Sequence, residues 1–199
     1  NSLVRAPVLV WLMCKMAHIP VIRGSVDARK SLITARSVVE AGGAVVIFPE
    51  GTTTHDPDTW PMQARTGAAR LALATGAPVI PVAHWGDEQI LSYEYVDGPD
   101  GKKKEKRKVS LWPRKTVHVK IGQPMNIAAL VDDPSPQAKR TRTELNIVTE
   151  AMMDEITALL AHIRGEQAPK GRWNPKTKRR ELPGETTGVT GTLGEPDEN

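Results

Sequence analysis

AVVIFPEG, residues 44–51, is the stretch of sequence that decides the fold. Its unbroken apolar run predicts a strand that is buried on both faces, as the strands of parallel sheets are. APVIPVA, residues 77–83, predicts a second buried strand, and the small apolar residues of segment 66–75 predict a helix between the two. The order strand, helix, strand predicts a parallel pair joined by a right-handed crossover.

Neighbouring segments extend this pattern in both directions. Apolar residues at helical spacing predict one helix between residue 27 and Gly42 and another from about residue 139 to 164. KTVHVKI, residues 115–121, alternates polar and apolar residues as a strand does. DGPDGKKKEKRK, residues 97–108, is turn-rich and basic, which indicates an exposed loop or the end of a hairpin.

These elements predict one α/β domain over residues 1–168, with a mixed, largely parallel sheet flanked by helices. After residue 168 the sequence becomes basic and then rich in Gly, Thr, Pro and Glu, without hydrophobic periodicity. Residues 169–199 are therefore expected to form a disordered tail.

Composition limits the classes of partner and of site. A net charge of +4 and a pI near 9.3 favour anionic partners, whether phospholipid headgroups, phosphorylated metabolites or nucleic acid. Cys14 is the only cysteine in the sequence, which excludes an intrachain disulfide and a cysteine-rich zinc cluster. The apolar run at residues 7–16 is shorter than the ~20 residues of a spanning helix, so we expect it to lie on a bilayer.

FPEGT, residues 48–52, follows the first predicted strand, at the sheet edge where ligands of α/β proteins collect. Gly51 permits close backbone approach, Thr52 offers a hydroxyl donor, and Glu50 accepts hydrogen bonds from loop amides. Arg23 ends another β-branched stretch, and its guanidinium is suited to bidentate contact with a phosphate. Together these residues predict recognition of a phosphorylated acceptor; a structural turn with a surface arginine remains the alternative.

The motifs resemble those of one family in order and in spacing. FPEGT resembles the FPEGTRS block of the PlsC-like lysophosphatidic acid acyltransferases, and residues 19–24, IPVIRG, resemble its arginine block. Segment 79–82 resembles its later proline block, and segment 65–72 resembles the helix that connects the blocks. The resemblance covers about residues 3–165, and it implies the glycerolipid acyltransferase fold.

The resemblance also implies an activity, which is acyl transfer from acyl-CoA or acyl carrier protein to 1-acyl-glycerol-3-phosphate, without a cofactor. Its product is phosphatidic acid. In that family Arg23, Glu50, Gly51 and Thr52 would bind the acceptor phosphate, with Arg65 as a further candidate. The implied location is the cytoplasmic face of the plasma membrane, peripheral or monotopic, and the implied partners include a membrane surface but no nucleic acid.

The sequence departs from the family pattern in its catalytic block, a histidine followed five positions later by an aspartate. The residues five positions after His18, His55, His84, His118 and His162 are Arg23, Trp60, Gln89, Gln123 and Gln167. We therefore expect the block upstream of Asn1, no catalytic residue in this chain, and no turnover by residues 1–199 alone. Thr53 also stands where the family usually has a basic residue, which places in doubt one electrostatic contact to the phosphate or to the acyl donor.

Single motifs in the sequence also admit other interpretations. His55, Asp56 and Asp58 have the residue types of a metal site, but a turn stabilised by the two aspartates accounts for them equally well. A serine hydrolase is disfavoured because the sequence has no G-x-S-x-G elbow. A different lysolipid or glycerol-3-phosphate acceptor, or a non-catalytic module that binds anionic lipid or nucleic acid through residues 102–108, remains an alternative.

Overall fold

The computed structural model describes residue 19, residues 27–97 and residues 103–182, and it divides the chain into two units. The side chains of residues 27–29, 93–97 and 103–107 are not described. The first unit comprises residues 1–49, 65–80 and 124–149, and the second comprises residues 50–64, 81–123 and 150–199. Arg23, Cys14, the apolar run 7–16 and the arginine block 19–24, apart from Ile19, lie outside the described residues, so the expectations for them stay predictions.

Two helices of the first unit confirm the predictions made around the FPEGT block. Helix α1 is Asp27–Glu40, and it ends where the N–H groups of Gly42 and Gly43 each donate to a carbonyl of its last turns at 2.9 Å. Helix α2 is Gly67–Thr75. Its small apolar residues form a buried face: Ala69, Leu71, Ala72 and Leu73.

Helix α3, Arg142–Arg164, confirms the long helix predicted near the end of the domain. It begins at a capping box in which Glu144 Oε2 accepts the Thr141 N–H at 2.7 Å and Thr141 Oγ1 accepts the Glu144 N–H at 3.1 Å. Its apolar residues recur at helical spacing and are buried: Leu145, Val148, Met152, Met153 and Leu160. Among the described residues, no helix has both the length and the apolar character needed to cross a bilayer.

The second unit contains three antiparallel strand pairs. Strand β1, Val82–Trp85, pairs with β4, His118–Ile121, which confirms a strand in the alternating segment 115–121. Strands β2, Leu91–Asp97, and β3, Lys103–Val109, form a hairpin, and basic residues 103–108 lie in its second strand rather than in a loop.

The expectation of a largely parallel sheet is not met in the part of the chain that the structure describes. Residues 44–49 form no strand, and Val46 and Phe48 are 85% and 67% exposed. A parallel strand is buried only by the neighbours that pair with it and the helices that cover it. No described strand pairs with residues 44–49, and Val79 forms an antiparallel bridge with Met125 instead. Helices with small antiparallel sheets are therefore the observed architecture.

The expected disordered tail is also corrected in its first part. Strands β5, Arg172–Asn174, and β6, Arg179–Glu181, form a C-terminal hairpin in which Arg172, Asn174 and Glu181 are buried. Their order comes from polar contacts, which a search for hydrophobic periodicity does not detect. Residues 183–199 lie outside the described residues, and the domain boundary at residue 168 stays a prediction.

Candidate functional site

The FPEGT block forms a turn after residue 48, where Gly51 has a φ of 68°. This is the left-handed region, which favours glycine because a side chain there is strained. Within the first unit, the Arg65 N–H donates to the Pro49 carbonyl at 3.0 Å. That bond joins the two ends of the loop formed by residues 50–64, because Pro49 directly precedes the loop and Arg65 directly follows it.

Glu50 is the titratable residue of this turn. Its carboxyl is half-buried and accepts the N–H of the fully buried Met62 at 3.3 Å. Burial raises the pKa of Glu50 to about 7, and the negative charge of Asp56 acts in the same direction. The Met62 N–H and the positive charges of Arg172 and His84 oppose the rise without cancelling it.

A carboxyl with this pKa suits a turn that is expected to meet a phosphate. An ionised Glu50 would repel an anion, whereas a protonated carboxyl has a hydroxyl that can act as a hydrogen-bond donor. With a pKa of about 7, both forms are present near neutral pH.

The raised pKa predicts a specific dependence of stability on pH. The folded state holds the proton more tightly than the unfolded state, whose glutamate pKa is near 4.5. The free energy of unfolding therefore falls as pH rises from about 4.5 to about 7. Glu50→Gln keeps a neutral acceptor, so we expect it to remove this fall and to be roughly 2 kcal/mol more stable than wild type at pH 8, allowing for partial screening.

Urea unfolding at pH 4.5 and pH 8 measures this difference. The two proteins should differ by less than about 0.5 kcal/mol at the lower pH, because Glu50 is then protonated in the folded state and half protonated in the unfolded state. Glu88→Gln removes an exposed carboxyl and is the control. Its free energy of unfolding should change with pH as that of the wild type does. A Glu50→Gln protein whose stability changes with pH as the wild type does would contradict the assignment.

The other predicted phosphate contacts are placed as follows. Thr52 is half-buried, and its hydroxyl makes no hydrogen bond to any described residue. Arg65 is exposed and makes no ion pair within the described part of the chain. Thr52 follows Glu50 and Gly51 directly, whereas Arg65 belongs to the first unit. Arg23 lies outside the described residues, so its expected place beside the turn stays a prediction.

The loop that follows the turn is organised by Asp56. Its Oδ1 accepts the Asp58 N–H at 2.8 Å and the Trp60 N–H at 3.4 Å, as in the predicted aspartate-stabilised turn. The buried carboxylate also pairs with Arg180, whose Nη1 lies 2.6 Å from Asp56 Oδ2. No group of His, Cys, Asp and Glu that could hold a metal is found among the described residues. The hydrogen bonds of Asp56 support the predicted turn at residues 55–58.

The C-terminal hairpin supports this loop from residues that are distant in sequence. The Gln63 N–H donates to the Trp173 carbonyl at 3.0 Å, and Gln63 Nε2 donates to Glu181 Oε2 at 3.1 Å. Glu181 also accepts from Asn174 Nδ2 at 2.8 Å and from Thr177 Oγ1 at 2.6 Å. These donors, the Asn174 amide foremost, lower the pKa of Glu181 to about 2.

Arg172 is the second anchor of the hairpin, and its side chain is 7% exposed. Its Nε donates to Glu150 Oε2 at 2.9 Å and its Nη1 donates to Thr157 Oγ1 at 3.0 Å. Nη2 donates to Asp154 and to the Glu150 carbonyl. The sequence interpretation missed these residues because they lie in a basic stretch. The N-P pair at residues 174–175, bounded by Trp173, was the available turn signal.

Arg164 joins the end of helix α3 to the same loop. Its guanidinium lies 4.2 Å from the ring centroid of Trp60 and 4.4 Å from that of Trp85. Its Nη1 donates to the Asp58 carbonyl at 2.8 Å. The apolar side of the loop is thus fixed through Trp60, and its polar side through Asp56.

A groove of about 420 Å³ lies against this supported loop rather than at the turn. Neither Glu50, Gly51 nor Thr52 lines it. Its walls combine loop, helix α3 and hairpin residues: Trp60, Pro61, Thr157, Ala158, Ala168 and Leu182. Of the residues predicted to bind phosphate, those that the structure describes do not line this groove.

Comparison with known proteins shows similarity over the N-terminal part of the chain. Residues 1–85 match the Acyltransferase family model. Over 89 residues the chain is 34% identical to 1-acyl-sn-glycerol-3-phosphate acyltransferase BAT2, chloroplastic, of Brassica napus, which covers 43% of this chain and 24% of that protein. The chain thus spans about a quarter of the length of this relative. No solved structure matches it. The match over residues 1–85 and this partial identity bear out the resemblance to PlsC-like acyltransferases that the motifs indicate.

Proposed function

We propose that this chain belongs to an enzyme that transfers a fatty acyl group from acyl-CoA or acyl carrier protein to 1-acyl-glycerol-3-phosphate, forming phosphatidic acid. The observation that carries the proposal is the FPEGT turn with its half-buried Glu50, inside the segment that matches the Acyltransferase family. The family match supports acyl transfer, and the name of the Brassica napus relative supports the acceptor.

In the proposed reaction the free hydroxyl of the acceptor attacks the thioester carbonyl. A carbon–oxygen bond forms, the carbon–sulfur bond breaks, and the hydroxyl proton passes through a general base to the leaving thiolate. No histidine of this chain is followed five positions later by aspartate. The proposed role of Arg23, Glu50, Gly51 and Thr52 is therefore to bind and orient the acceptor phosphate, with Arg65 as a further cation, rather than to remove the proton.

The proposed acceptor also implies a place of action. A lysophospholipid resides in a bilayer, so the enzyme is proposed to work at the cytoplasmic face of the plasma membrane, peripheral or monotopic. The apolar run at residues 7–16 supports this, since it is long enough to lie in one leaflet and too short to span two. Acyl donor and acceptor meet there without a further cofactor.

Arg23→Ala in the full-length protein tests the proposed phosphate contact. Loss of a guanidinium that grips the phosphate should raise the KM for lysophosphatidic acid roughly tenfold while the KM for the acyl donor stays unchanged. Initial rates at varied acceptor and fixed donor, and the reverse, measure the two constants.

Arg36→Ala is the matched control, because Arg36 is an exposed arginine paired only with Glu40 on helix α1. It should leave both constants unchanged. An equal rise of both constants in Arg23→Ala would remove Arg23 from the acceptor site. Absence of turnover by the full-length wild type with every acyl-CoA and acyl carrier protein would defeat the proposed function itself.

A further inference from the structure

The most exposed group of large apolar side chains in the second unit lies just after strand β3. Val109, Leu111 and Trp112 are 64%, 73% and 82% exposed. Exposing large apolar side chains to water is unfavourable, and burying them against a partner lowers the free energy. A group of such side chains on the surface therefore indicates a binding partner.

The segment is held in place, so its exposure is not that of a loose loop. The Ser110 N–H donates to the Ile90 carbonyl at 2.8 Å, which fixes the start of the segment to the base of the β2–β3 hairpin. At its other end, the Thr116 carbonyl approaches Gly86 so closely that a Cβ built there would lie 2.3 Å from the oxygen. Leu111 and Trp112 therefore lie between a hydrogen bond and a close packing contact, and Val109 belongs to strand β3.

Cationic residues flank the apolar residues in the sequence. Lys108 and Arg114 are exposed, and Lys115 is half-buried. Residues 103–115 contain seven Lys and Arg residues and one acidic residue, Glu105. Tryptophan and leucine flanked by cations are the composition of segments that lie in the headgroup region of anionic bilayers, because indole suits the interface and lysine and arginine bind lipid phosphates.

We infer that Val109, Leu111 and Trp112, with Lys108, Arg114 and Lys115, form a docking patch for the surface of an anionic phospholipid bilayer. The patch is separate from the apolar run at residues 7–16. The inference rests on the proposed function, because an enzyme whose acceptor is a lipid works at a bilayer surface. Charge complementarity selects the lipid: anionic headgroups are bound and zwitterionic ones are not.

Co-sedimentation of the 199-residue chain with vesicles tests the patch. One set of vesicles is phosphatidylcholine alone, and the other contains phosphatidylglycerol in addition. Leu111→Ala combined with Trp112→Ala should lower the partition coefficient onto the anionic vesicles roughly tenfold. Arg114→Ala combined with Lys115→Ala should lower it by a similar factor at low salt and remove the preference for anionic lipid.

Ile147→Ala is the matched control, because Ile147 on helix α3 is 49% exposed and its helix neighbours Glu144 and Glu150 are acidic rather than cationic. It should bind vesicles as the wild type does. Circular dichroism should show the same fold in every variant, since the substituted side chains are largely exposed. Equal binding of the Leu111/Trp112 variant and the wild type to anionic vesicles would overturn the proposal.

Competition with single-stranded RNA separates the patch from a nucleic-acid site. If RNA displaces the chain from vesicles and the Leu111/Trp112 variant still binds both, the cations serve nucleic acid and the proposal fails. The assay contains no acyl donor, so its outcome is independent of turnover. A failed vesicle-binding test would not contradict the proposed acyltransferase activity, and absence of turnover would not contradict the docking patch.

Discussion

Arg172→Ala is expected to destabilise the protein by about 4 kcal/mol, the largest effect anticipated for a single substitution here. The guanidinium is buried and donates to two carboxylates, a hydroxyl and two carbonyls. Truncation leaves these acceptors without their donor and opens a space beneath the C-terminal hairpin. The midpoint of urea unfolding, followed by tryptophan fluorescence, measures the loss.

Arg179→Ala provides the comparison within the same hairpin. Arg179 is 63% exposed and lies 3.4 Å from Glu181, so its removal should cost less than about 1 kcal/mol. If both arginine variants unfold at the same urea concentration, the buried network of Arg172 does not hold the hairpin. Arg172→Lys should recover only part of the stability, because an ammonium cannot reproduce the planar fork.

Asp56→Ala is expected to destabilise the protein by about 3 kcal/mol. Its side chain is fully buried and organises the loop behind the FPEGT turn. Without it, the N–H groups of Asp58 and Trp60 lose their acceptor, and Arg180 is left beside an empty space. The same urea titration measures the effect.

Asp58→Ala isolates the contribution of burial, since Asp58 pairs with the same Arg180 at 2.9 Å but is 69% exposed. Its loss should cost no more than about 1 kcal/mol. The interpretation fails if the two aspartate variants are destabilised to the same extent. Asp56→Asn should fall between them, because the amide oxygen still accepts from the backbone while the charge facing Arg180 is gone.

Local signals in the sequence were sufficient for the helices. Regular apolar spacing and glycine stops predicted helices α1, α2 and α3, and the alternation at residues 115–121 predicted β4. Each of these signals comes from residues within a few turns or positions of one another. They need no knowledge of the rest of the fold.

The sheet and the support of the site depend on distant partners instead. Residues 44–49 have the composition of a buried strand, but a strand forms only where a neighbour supplies hydrogen bonds. The pairing of Asp56 with Arg180 joins positions 124 apart, and neither residue alone indicates the other. The family motifs predicted which residues compose the turn, whereas burial, which raises the pKa of Glu50, became visible only in three dimensions.

The C-terminal hairpin also bears on how such proteins diverge. Gln63 and Glu181 are 118 positions apart, and Glu181 lies far beyond the segment that matches the Acyltransferase family. Homologues could keep residues 48–52 unchanged while mutations near residue 181 reshape the loop behind them. Alignments restricted to the shared N-terminal segment would record such proteins as equivalent, although the loop beside their FPEGT turn had changed.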